Sequence, residues 1–178
     1  MSSLRCFALI LACLLAAAPS SAQKQKREPL TEAQIDQIRE AAIDPAARVA
    51  LYTQFLDEHA NVIKDLSSRI PSTRRSSLLD DELQDFSALM DELASNLDVY
   101  TERKADIRKA LKPLNEAAKR WLETLRALPA ERAFELARKE AIETGEDLSE
   151  QIRNLLAEQT EYFKLHKDER GQQRAEPK

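Results

Sequence analysis

"LDDELQDFSALMDELASNLDVYTERKADIRKALKPLNEAAKRWLETLRAL", residues 79–128, decides the fold. Apolar residues recur in steps of three and four at Leu79, Leu83, Phe86, Met90, Leu93, Leu97 and Tyr100, then at Ile107, Leu111, Leu114, Ala118, Trp121, Leu125 and Leu128. Lys104 is the one clearly polar member of the series. Such spacing marks one side of an α-helix, and a register held this long favours coiled-coil-like packing. At 1.5 Å of rise per residue, a single helix here would be a rod on the order of 75 Å. Pro113 removes a backbone donor and crowds the preceding turn. It admits two forms: a continuous helix kinked at Pro113, favoured by the unchanged phase on both sides, and two helices joined by a loop.

Working outward, Val49, Tyr52, Leu56, His59, Ile63, Leu66 and Ile70 form a second seam. It begins where Asp44 can cap and Pro45 fits the first helical position, and it ends at Pro71. Downstream, Phe134, Ala137, Ala141 and Ile142 open a last helical region, continued by Leu148, Ile152, Leu155, Tyr162 and Phe163. "TGED" at 144–147 offers a stop and restart, since Gly145 suits a helix C-terminus. The whole chain holds only two glycines, Gly145 and Gly171, too few for the turns of a sheet protein. The expectation is all-α: an elongated antiparallel up-down-up bundle with coiled-coil-like packing, one long central helix kinked at Pro113, and a short N-terminal helix added.

Residues 1–22 read as a secretory signal peptide. Arg5 precedes an apolar run over 6–18, and Ser20 and Ala22 are the small residues a signal peptidase reads. Cleavage is expected near Ala22-Gln23, exporting the chain to a periplasm or the secreted space; acylation at Cys13 after "ILAC" is the alternative. Both cysteines, Cys6 and Cys13, lie in this segment, so no disulfide is expected in the mature fold. Residues 23–29 read as a polar linker, 30–166 as a single helical domain, and 167–178, "KDERGQQRAEPK", as a disordered polar tail. No later stretch is apolar enough for a transmembrane span.

The short N-terminal helix starts at "LTEAQI", 30–35. Thr31 can cap it, Gln34 can reach back to the cap nitrogen, and Leu30 with Ile35 can close a hydrophobic staple. Leu30, Thr31 and Gln34 also resemble the LTxxQ motif of Spy/CpxP-type periplasmic helical proteins, a family that includes chaperones and envelope-stress regulators. The resemblance implies a small exported all-α protein acting as a holdase or stress protein. It covers about five residues, and a second LTxxQ copy does not occur in this chain.

Residues in patterns that do chemistry are few. His59 and His166 are the only histidines and neither has metal-ligand spacing. His59 sits in an apolar seam and reads as a core or boundary residue; His166 lies near a helix C-terminus, where positive charge is favourable. Trp121 and Tyr100 read as packing residues. No nucleophile elbow, phosphate loop or dinucleotide fingerprint occurs, so no catalytic, cofactor or metal residue is assigned and no enzyme is expected.

Charge is more informative. The net charge of −4 argues against nucleic acid as a partner. Between 80 and 98 lie seven acids, Asp80, Asp81, Glu82, Asp85, Asp91, Glu92 and Asp98, and no base. Basic residues follow from 103 to 126, so one long helix would complement its own macrodipole. The acids form a candidate contact face for a basic protein partner, or for the basic half of a second copy in an antiparallel dimer.

Overall fold

Helix starts follow the side chains that can cap them. The computed structural model describes residues 28–171 and places five α-helices there: α1 (Glu32–Glu40), α2 (Pro45–Ser68), α3 (Thr73–Glu102), α4 (Arg108–Arg126) and α5 (Glu135–Leu165). Thr31, Asp44 and Ser72 cap the first three through their side-chain oxygens, and Pro45 occupies the first position of α2. Ile107 and Phe134, which precede α4 and α5, make no side-chain cap. The expected signal segment 1–22 and its expected cleavage point, residues 23–27 of the expected linker and residues 172–178 lie outside the described residues.

The apolar series of residues 79–128 lies in the core, alongside buried residues of α2 and α5. All fourteen of its apolar members are buried, and Lys104 is exposed. The single long helix is nevertheless a misreading, because α3 ends at Glu102 and α4 begins at Arg108. The reversal lies at 103–107, and Pro113 sits inside α4 on its exposed side.

Lys104 turns the chain at φ 52°. Its N–H donates to the Thr101 carbonyl and that of Ala105 to Tyr100, both at 3.0 Å, the bonding of a Schellman motif. Lysine occupies the left-handed position that glycine usually fills, at a cost of about 1–2 kcal/mol. Its ammonium lies 5.1 Å from the Tyr162 ring centre, which returns about 0.5 kcal/mol. Lys104→Gly is therefore expected to raise the urea midpoint, by roughly 0.5–1 kcal/mol in stability. A lowered midpoint would mean that the Tyr162 contact outweighs the backbone strain.

The helices pack as two antiparallel hairpins. α2 lies on α3 and α4, and α5 lies on the same two, leaving α2/α5 and α3/α4 as diagonals. Contacts advance together along α3 and α5: Arg75 meets Glu131 and Phe134, Ala94 meets Gln151, and Ala105 meets Gln159. These neighbours are parallel, as are α2 and α4, where Asp57 meets Trp121 and Ser67 shares a groove with Leu128. The expected all-α bundle is present; it has four main helices and a diagonal crossing at 103–107 in place of the up-down-up order around one long helix. Phe86 and Trp121 close that diagonal, edge to face at 5.9 Å.

Gly145 does not interrupt α5. A Cβ there would stand 3.1 Å from Leu122 Cδ2, so glycine admits the close approach of α4. Ile70 of the α2 seam lies beyond the helix end and is 88% exposed. Past α5 the chain makes a 3-10 turn at Lys167–Glu169. Arg170 Nε donates to the Phe163 carbonyl and Gly171 N–H to Asp106. No described helix is long and apolar enough to cross a membrane.

Candidate functional site

The opening motif is a cap. Gln34 N–H donates to Thr31 Oγ at 3.3 Å and Thr31 N–H to Gln34 Oε1 at 2.8 Å, completing the capping box. Leu30 is buried, and Gln34 Nε2 goes on to Glu58 of α2 at 3.1 Å.

His59 is a boundary residue, as its seam position implies, with its side chain 13% exposed. Nδ1 lies 2.6 Å from Glu82 Oε1, and Nε2 lies 3.1 Å from the Pro29 carbonyl oxygen. Burial pulls its pKa down; the hydrogen bond and charge of Glu82, the Pro29 carbonyl and the charge of Asp85 outweigh that and raise it above 6.5. His166 caps the C-terminus of α5 and stacks on Tyr162 at 4.1 Å.

The seven acids do not share one side of α3, because each helical residue turns roughly 100° from the last. Glu82 and Glu92 reach toward α2, to His59 and to the Tyr52 hydroxyl at 2.6 Å. Burial, first, and Glu92 push the Tyr52 hydroxyl far above its ordinary pKa. Asp85 is buried and Asp81 half-buried. Asp80 accepts from Gln84 one turn on, Asp91 is exposed, and Asp98 accepts from Gln151 Nε2 of α5 at 2.7 Å.

Asp98 leads to an arrangement that counting charges along the chain did not reveal. With Thr101 of α3 it faces Asp147, Glu150, Asn154 and Glu158 of α5 across an open cleft of about 410 Å³. The spacing 147, 150, 154, 158 is one helical stripe, so the α5 wall was readable; that α3 would be its neighbour was not. Two acid-rich helices lie side by side, α3 with eight acids against two bases and α5 with eight against four. α4, on the far diagonal from α3, has six bases against two acids. α5 runs antiparallel along the basic α4, with Arg126 on Glu146 at 2.6 Å. Exposed pairs of this kind contribute about 0–1 kcal/mol each. The break at 103–107 also reverses the expected macrodipole complement: acids now end α3 and bases begin α4.

Two buried polar residues escaped sequence reading. Arg75 is 5% exposed and donates to the Leu66 and Ser67 carbonyls at 3.0 and 3.2 Å and to Glu131 at 2.6 Å. Gln159 is 6% exposed and holds the α3–α4 link by its backbone. Nothing in the spacing of either residue announces partners more than fifty residues away, apart from their positions on largely apolar faces. Among the described residues no three of His, Cys, Asp and Glu are placed to hold a metal ion. Compared with protein-family models, with curated proteins and with solved structures, the chain finds no match in any of the three.

Proposed function

We propose that the chain is an exported, non-enzymatic helical protein that binds or scaffolds another protein, with the cleft between α3 and α5 receiving a basic segment of the partner. The supporting observation is the parallel packing of two acid-rich helices, which sets Asp98, Asp147, Glu150 and Glu158 around one opening. Like charges brought together this way favour a cationic partner by complementarity and steer its approach. A second copy of the chain, offering α4, is the other occupant to test, by sedimentation at low and high salt.

The test is cross-linked recovery of the natural protein from the envelope or the medium, with its mature N-terminus near Gln23. A quadruple Asp98→Asn, Asp147→Asn, Glu150→Gln, Glu158→Gln chain should keep its helical circular dichroism and lose its partner. An unchanged partner set would overturn the reading. The resemblance at Leu30, Thr31 and Gln34 supports a holdase as the second reading. A holdase would suppress aggregation of a denaturing client at near-equal molar ratio, whereas a dedicated binder would not.

A further inference from the structure

His59 stands on α2 between two acceptors from different parts of the chain. Glu82 of α3 faces Nδ1 at 2.6 Å, and the Pro29 carbonyl, just ahead of α1, faces Nε2 at 3.1 Å. A carbonyl and a carboxylate only accept hydrogen bonds, whereas neutral imidazole has a single N–H to give. Both contacts are satisfied together only by the imidazolium. We infer that protonated His59 is a latch holding the N-terminal arm, residues 28–40, on the α2–α3 hairpin, and that loss of its proton frees the arm.

The surroundings fit a latch. α1 packs on α2 alone among the described helices. Besides the Pro29 contact, the arm is seated by buried Leu30 and Ile38 and by the exposed Gln34–Glu58 bond. From α3, Glu82 and Asp85 favour the proton on His59. On α2 itself, Glu58 is engaged by Gln34 and Gln54. From α4, Arg120 is held by Asp57, two residues before His59 and roughly 200° around the helix.

Proton binding and arm binding therefore reinforce each other. The latch is fully closed below the ordinary histidine pKa and opens as pH rises through the elevated one, uncovering the seats of Leu30 and Ile38. This device is independent of what the acid-lined cleft binds.

The test is hydrogen exchange on the full chain from pH 6 to 9, corrected for intrinsic rates, alongside the titration of the His59 ring by NMR. Protection of the Ile35 and Ile38 amides should fall by up to about tenfold per pH unit between the ordinary histidine pKa and the elevated His59 midpoint, the limit for one linked proton, and level off above that midpoint. Amides at 148–152 of α5 should not change. His59→Gln, whose amide keeps one donor and one acceptor at every pH, should abolish the dependence. Glu82→Gln leaves the imidazole in place and should move the midpoint down. Flat protection across the His59 titration overturns the latch. So does the same pH dependence in a folded His59→Gln chain, or an unmoved midpoint in Glu82→Gln.

Discussion

Arg75→Met is expected to remove about 3 kcal/mol of folding stability, a large share of the roughly 5–15 kcal/mol of an ordinary domain. The guanidinium sits in the first turn of α3, where the helix's own dipole disfavours a cation. What holds it there is the opposite end of α2, whose Leu66 and Ser67 carbonyls it caps, together with Glu131 from the α4–α5 connection. Methionine fills similar volume but takes one donor from each of the three acceptors; Leu66 keeps the Arg69 N–H and Glu131 keeps the Ser76 hydroxyl, both at 3.2 Å. The cost stops short of the 5 kcal/mol seen for fully enclosed pairs, because the Glu131 side chain is 29% exposed and can turn to water. Arg75→Met with Glu131→Gln should recover part of the loss, since no lone carboxylate remains. Urea unfolding of the single and double variants measures both effects. A single-variant loss below about 1 kcal/mol would mean that the clamp is dispensable.

Gln159→Leu is expected to cost about 2–6 kcal/mol, for a different reason. Gln159 Nε2 donates to the Ala105 carbonyl at 2.8 Å, and its Oε1 accepts from Ile107 N–H at 3.1 Å. Leucine strands one buried donor and one buried acceptor, at roughly 1–3 kcal/mol each. Gln159→Glu sharpens the test. At neutral pH a carboxylate would face the Ala105 carbonyl in a dry site; once protonated it can donate there as the amide does. Burial and that repulsion raise the glutamate pKa, so the deficit relative to wild type should shrink as pH falls from 7 toward 4. A deficit that stays constant with pH would show that the carbonyl contact carries no weight.

Much of the fold was legible because burial obeys period. The seam at 79–128 picked out core residues on two helices while concealing that they were two. Lys104 explains why: the link takes five residues, 103–107, and returns the chain to the same phase, while its left-handed turn is made by lysine with no glycine as a flag. Thr31 and Asp44 were legible because a cap needs only its own neighbours. Arg75 and Gln159 were not, because a buried polar residue is defined by partners supplied by the tertiary fold. The acids of 80–98 show the same limit. Their number was plain, but the side each one faces depends on which helix lies alongside.

The diagonal crossing has an electrical consequence. In an all-antiparallel ring the positive and negative helix ends alternate and largely cancel. Here the N-termini of α2 and α4 are adjacent at one end of the bundle, and the C-termini of α3 and α5 fill the other half of that end. Each N-terminus carries about half a positive charge and each C-terminus about half a negative one. Some side chains add to this with the same sign, Arg108 and Lys109 at the start of α4 and Glu102 at the end of α3, whereas Lys164 in the last turn of α5 and Asp106 paired with Arg108 oppose it. Each such placement forgoes roughly 0.3–1 kcal/mol of dipole stabilisation. The end face therefore carries a transverse dipole in place of the cancellation of an alternating ring.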